Sequence, residues 1–195
     1  MKQNLHWRYY LSLESDVYAL SRYIHFAPDN FKTYSIELAK LYLAICAEVE
    51  VVLKEICDIC PSKKGAKANI NIYREWIVKN QQGLITEQVQ SFEFELQYVP
   101  WKAFEEGRSP AWWSNYNSVK HERREHFHKA NLGNVLESLA GLYIANLYLE
   151  RVLSERSGYS HFPKDINDIY LQLPHSHKLF QPFCLAASLE SYYVC

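Results

Sequence analysis

From Trp112 to His128 the chain reads Trp-Trp-Ser-Asn-Tyr-Asn-Ser-Val-Lys-His-Glu-Arg-Arg-Glu-His-Phe-His, its densest polar stretch. Lys120, Arg123 and Arg124 supply fixed positive charge, and His121, His126 and His128 are three of the eight histidines of the chain. An imidazole titrates near pH 6.5 and so both gives and takes a proton at neutral pH. A guanidinium beside it can hold a phosphate and stabilise charge that develops on it. These groups are sufficient for RNA cleavage without a metal: a base removes the 2′-hydroxyl proton, the freed oxygen attacks phosphorus, and cations stabilise the crowded intermediate. They are equally suited to holding an RNA phosphate without cutting.

A helix beginning at about Ala111 would put Asn117, His121, Arg124 and His128 on one face, at steps of four, three and four. Trp113, Lys120, Arg123 and Phe127 follow a neighbouring row. Trp112 and Trp113 are read as core or dimer packing, with base stacking as the sharper alternative. Glu122 and Glu125 offset part of the charge.

Two long helical patterns must position this segment. The first runs from about Tyr34 to Ile59, with Ile36, Ala39, Leu43, Cys46, Val49, Leu53 and Ile56 on one face. Thr33 or Ser35 is expected to cap it and Pro61 to close it. Glu48 interrupts its apolar stripe; facing His121, it would orient the imidazole or pair with an arginine. The second runs from about Asn131 to Leu153, with Gly133 and Gly141 inside it and Gly158 as its stop. A glycine inside a helix costs about 1 kcal/mol, so close helix packing is the reason expected for keeping them. Shorter helices are expected from about Trp7 to His25 and from Ile70 to Lys79. Ser91 to Val99 alternates partly and reads as a strand or arm, followed by a loop from Pro100 to Pro110. The tail from Ser157 is expected to be mostly irregular, wrapped over the bundle by Phe162, Tyr170, Phe180 and Phe183. The expectation is an all-α single domain over 1–195: a helical bundle with core about 33–155, a loop or arm insertion, and a C-terminal extension about 156–195.

The 195 residues carry 21 Lys+Arg against 22 Asp+Glu, so no global cationic field draws the chain to nucleic acid and any such binding rests on a local patch. Five scattered cysteines and an N-terminus without an apolar run predict free thiols in the cytoplasm. No stretch reaches the ~18 uninterrupted apolar residues of a membrane span. Cys57-Asp58-Ile59-Cys60 lacks a second ligand pair for zinc and reads as thiols of a helix end. The Lys63, Lys64 and Lys67 turn reads as a solvated surface. Nothing resembles a phosphate-binding glycine loop, and no cofactor or metal is expected.

Tyr116-Asn117-Ser118-Val119-Lys120-His121-Glu122-Arg123, then Ala130-Asn131-Leu132-Gly133-Asn134-Val135-Leu136 and a hydrophobic helix, resembles the HEPN superfamily (higher eukaryotes and prokaryotes nucleotide-binding). Ile36 to Leu41 and Glu48 to Lys54 are similar to the preceding helix of bacterial members, so the likeness spans about Thr33 to Leu153. The resemblance implies an all-α bundle and a homodimer whose paired motifs face one cleft. It also implies a metal-independent endoribonuclease of a toxin–antitoxin or phage-defence system, with an antitoxin or defence protein as partner, or else a non-catalytic module that binds RNA, nucleotide or protein. The family's ribonuclease motif is Arg, a polar residue, three to five residues, then His. Asn117 matches the polar residue and His121 the histidine, while the arginine slot falls on Tyr116. In this register Arg123 or Arg124 supplies the guanidinium. The alternative register runs from Arg123 to His128. The first is preferred because the helix from Asn131 then lies where the family places it. It makes His121, Asn117, Arg123 and Arg124 the catalytic set, with Lys120, His128, Trp112, Trp113 and Tyr116 contacting RNA.

Overall fold

The computed structural model describes residues 5–57, 69–156, 165–173 and 179–183. Eight α-helices are found among them: α1 (Leu5–Ala19), α2 (Ile36–Cys57), α3 (Ile70–Asn80), α4 (Gln82–Thr86), α5 (Ala111–His121), α6 (Arg123–His126), α7 (Leu132–Arg156) and α8 (Ile166–Gln172). The helix-dominated fold expected from the periodicity is what forms. None of the described helices is long and apolar enough to cross a membrane.

The two long helices make the most extensive contact in the molecule, α2 against α7. Both starts are fixed by side chains. Ser35 Oγ accepts from the Leu38 N–H at 3.1 Å, and Asn131 Oδ1 from the Asn134 N–H at 3.0 Å. Each relieves one of the donors that a helix start leaves without a partner. Pro61 and Gly158, expected as stops, lie outside the described residues, as do Lys63, Lys64, Lys67, Cys60 and Phe162. α1 is shorter than the predicted span, because after Ala19 the chain tightens into a 3-10 turn, Leu20–Arg22.

The glycines of α7 do mark close approaches. A Cβ on Gly133 would lie 3.1 Å from Phe31 Cβ, and one on Gly141 would lie 3.0 Å from Trp112 Cζ2 and 3.5 Å from Trp101 Cζ2. Trp101 Nε1 donates to the Gly141 carbonyl at 3.1 Å, and Trp112 Nε1 donates to the Pro100 carbonyl at 3.1 Å. The two indoles meet edge to face, with centroids 5.1 Å apart. Through them the 99–110 loop and the start of α5 rest directly on the α7 backbone.

The segment expected as one strand or arm is a hairpin. β1 (Val89–Ser91) and β2 (Leu96–Tyr98) pair antiparallel with Val89 opposite Tyr98, around a turn in which Glu95 has φ 53°. The alternation of Phe92, Phe94, Leu96 and Tyr98 ran across that turn. The described part of the tail is more regular than expected: it holds α8, capped by Asp165, and β3 (Gln181–Pro182), which pairs with the other edge of β1. Buried Glu14 of α1 ties the tail down, accepting from the Tyr10 hydroxyl at 2.9 Å and from the Leu179 N–H at 2.8 Å.

Gly141→Ala tests the indole seat. Alanine gains about 1 kcal/mol of helix propensity, whereas forcing a methyl against rigid, hydrogen-bonded indoles costs about 1–3 kcal/mol. The expected outcome is a net loss on the order of 1 kcal/mol, read as a lowered denaturant midpoint with an unchanged slope.

Candidate functional site

α5 forms where the sequence predicts it, and its buried face is Trp112, Trp113, Tyr116 and Val119. The Tyr42 hydroxyl of α2 donates to the Trp112 carbonyl, and the Tyr42 and Tyr116 rings meet edge to face at 6.2 Å. The Trp113 and Tyr116 rings lie 5.3 Å apart. This corrects one expectation. Trp112, Trp113 and Tyr116 are core residues, and burial leaves them no free face on which a base could stack. Tyr116, in the slot where a guanidinium was sought, is a packed phenol whose pKa burial raises, partly offset by its hydrogen bond to Lys120. The Lys120 Nζ lies 5.3 Å from the centre of the Tyr116 ring, a cation–π contact, with the side chain itself exposed.

The helix does not run on to His128. Glu122, at φ −132° and ψ 51°, ends α5 while its N–H still bonds the Ser118 carbonyl at 2.8 Å. One turn of α6 follows, then a 3-10 turn, Phe127–Lys129. The single face of Asn117, His121, Arg124 and His128 is therefore not formed as one stripe. Asn117 is half-buried and its Nδ2 donates back to the Trp113 carbonyl at 3.2 Å. His121, Arg123, Arg124 and His128 are exposed on the turn itself. The break leaves Asn117 and His121, the pair of the first register, one turn apart on α5, and puts Arg123 and Arg124 beyond it; Arg123 and His128 of the other register lie on successive short turns.

The turn is held from the α2 side. Leu132 N–H bonds the Thr33 carbonyl at 2.9 Å, Gly133 N–H the Phe31 carbonyl at 3.0 Å, and Phe127 meets Tyr34 edge to face at 5.6 Å. Lys129, which the sequence reading passed over, joins turn and helix: its Nζ donates to Ser118 Oγ at 3.1 Å, and its carbonyl accepts from Asn134 Nδ2 at 2.8 Å. Asn115 Nδ2 reaches Asn134 Oδ1 at 3.4 Å. The result is an exposed basic turn on a rigid support, with Glu122 paired to His126 at 3.2 Å. The donor atoms of Glu122, Glu125 and His126 lie within 4.8 Å of one another, the one grouping among the described residues with metal-ligand reach.

Glu48 is not part of this site. Its Oε1 lies 2.6 Å from His6 Nδ1, and His6 Nε2 lies 3.2 Å from Glu55 Oε1. The expectation that Glu48 serves His121 is corrected by this pairing, 42 residues away in sequence and invisible to helical periodicity. Burial pulls the His6 imidazole down, but the Glu48 hydrogen bond and the charges of Glu55 and Glu48 outweigh it and leave its pKa raised. The thiols behave as expected where described: Cys46 and Cys57 are buried and free, and burial pushes Cys57 up to about 12.

A second polar locus was also missed. Glu137 of α7 is half-buried and makes no hydrogen bond or ion pair among the described residues; desolvation alone raises its carboxyl to about 7. It lies in a cleft of about 710 Å³ that Arg74, Lys102 and Arg108 also line. A lone acid amid the α7 stripe of Leu136, Ser138, Leu139 and Ala140 was the available signal.

His6→Gln measures the clamp between α1 and α2. Because the folded imidazole has a raised pKa, its stabilisation is fully present below about pH 6.5 and fades as pH rises through the folded value. Thermal melts should show a loss of about 1–2 kcal/mol at pH 5.5, in the range of a charge-assisted hydrogen bond, and a smaller loss at pH 8.5. No protein-family model, curated protein or solved structure matches the chain.

Proposed function

We propose that this chain is an HEPN-like module that binds single-stranded RNA through the basic turn from Lys120 to Lys129. The observation that carries the reading is the turn itself. Lys120, Arg123 and Arg124 stand exposed beside the half-buried Lys129, with Glu122 and Glu125 as the acids of the same turn, on a backbone fixed from two sides. A backbone already held in place leaves only side chains to be ordered on meeting a phosphate, which favours binding. In this reading the homodimer that the resemblance implies would set two such turns about one cleft, and any antitoxin or defence partner would act on the bound state.

Binding without cutting is favoured over cleavage by three placements. Tyr116 puts a buried phenol in the arginine slot, Asn117 spends an amide hydrogen on its own helix, and Glu48 is committed to His6. One observation supports the enzyme as the second reading: His121 is exposed two residues from Arg123, so an imidazole and a guanidinium reach solvent from the same turn.

The test is anisotropy of a labelled single-stranded RNA with the full chain in EDTA. Three to four phosphate contacts predict that affinity falls roughly 20–50-fold between 50 and 200 mM salt. Arg123→Ala with Arg124→Ala should weaken binding about tenfold and flatten the salt slope by about 1.4. Intact RNA after long incubation supports the module. Fragments ending in 2′,3′-cyclic phosphate, abolished by His121→Ala, would establish the second reading, and absence of any salt-dependent binding would refute both.

A further inference from the structure

The cleft beside Glu137 lies at the opposite end of α5 from the basic turn. It is bounded by the start of α3 (Asn71, Arg74), by the 99–110 loop with Lys102 and Arg108, by the first turn of α5 (Ala111, Ser114), and by Glu137 of α7. Its volume, about 710 Å³, suits a small molecule of metabolite size. Arg74 is half-buried, and Lys102 and Arg108 stand exposed at the rim, where Arg108 pairs with Glu106. α5 starts here without a side-chain cap and without an acid in its first turn, so its free N–H groups add partial positive charge on the same side. Three cations and a helix start thus surround a space whose one carboxylate is met by no partner among the described residues.

We propose that this cleft binds a small molecule carrying a phosphate monoester, its dianion held by Arg74, Lys102 and Arg108 beside the Glu137 carboxyl. Three cations match a dianion better than a singly charged carboxylate, because each further charge on the ligand adds its own Coulomb attraction. Glu137 takes part as the neutral acid, because its surroundings already disfavour its charge. The groups whose charge interacts with Glu137 are the Tyr42 hydroxyl of α2 and the Tyr98 hydroxyl of β2, while Arg74 of α3 and Lys102 and Arg108 of the loop, the last with Glu106 attached, line the same cleft further off. No cation among the described residues reaches Glu137 within ion-pair distance, and the two phenols are themselves pushed further up by its charge. The Tyr98 hydroxyl is buried with no hydrogen-bond partner among the described residues. A dianion arriving beside an ionised Glu137 meets a like charge; beside the protonated form it gains a hydrogen-bond donor. Binding is therefore coupled to uptake of a proton. This site is independent of the RNA reading and shares no residue with the basic turn.

Sulfate is the probe, being a dianion of phosphate shape that does not titrate in the working range. Calorimetric titration of the full chain at constant ionic strength should show saturable binding that weakens about 30-fold from pH 6 to pH 8.5, the factor set by a group with a pKa of about 7. Acetate should bind at least tenfold more weakly. Glu137→Gln, which keeps shape and removes the proton, should retain sulfate binding with almost no pH dependence. Arg74→Ala with Lys102→Ala should weaken sulfate at least tenfold while melting like wild type. The proposal is overturned by the absence of saturable binding, by sulfate affinity that ignores the Arg74/Lys102 change, by equal affinity for acetate, or by the same pH slope in Glu137→Gln.

Discussion

The contact on which the other features depend is the seat of two indoles on a helix backbone. At Gly141 the missing side chain lets Trp112 and Trp101 approach α7 to within van der Waals reach, and the Trp101 N–H bonds the Gly141 carbonyl. Indoles bury large areas and, once their N–H groups are bonded, have few alternative positions. Trp112 belongs to α5 and Trp101 to the preceding loop, so this one seat fixes both. The basic turn hangs from the far end of α5, and the cleft opens between its near end and the loop. A shift of the indoles would move both polar regions together, although neither contains a tryptophan.

Charge is distributed over that frame in an instructive way. Where an acid is buried it has a partner: Glu14 accepts from Tyr10 and Leu179 and Glu48 from His6, and half-buried Glu87 accepts from Tyr148 at 3.0 Å. Leaving a buried charge unpaired is costly, and a carboxyl so placed takes up a proton instead. Glu137 departs from the pattern, half-buried with cations in the same cleft that do not reach it. The basic turn departs in the opposite sense, keeping Arg123 and Arg124 in water with no carboxylate bound to either among the described residues. Electrostatic capacity is left unused at both places.

How far the sequence reveals this depends on which interaction sets each feature. Local rules placed α2, α3 and α7 to within a few residues, and the start of α5, because an apolar stripe at helical period has few other ways to be buried; they carried α5 seven residues too far. The same rules flagged Gly133 and Gly141 as close approaches and made the 112–128 segment the polar focus. They failed where distant partners decide. The hairpin turn at Glu95 is hidden by an alternation that continues across it, and β3 and α8 are organised by β1 and Glu14 from far up the chain. Glu48 was assigned to the wrong histidine because helical spacing gives a face, not the residue that meets it. The break at Glu122 had no glycine or proline to announce it, and the Leu132 and Gly133 N–H groups beyond it donate to the Thr33 and Phe31 carbonyls, partners that lie far up the chain.

That break has a chemical consequence. A continuous helix would have set Asn117, His121 and Arg124 in one row pointing at a single ligand atom. Ending α5 at His121 instead spreads the cations around a turn, an arrangement that on the proposed reading suits a length of phosphate backbone better than a single phosphorus. Concerted acid–base chemistry needs its groups within hydrogen-bond reach of the same reacting atoms, whereas binding needs only complementary charge along a path. Tyr116 fits the same arrangement: as a buried phenol it stabilises the α2–α5 contact and carries Lys120 over its ring, so the position contributes a cation to the surface through its neighbour rather than a guanidinium of its own.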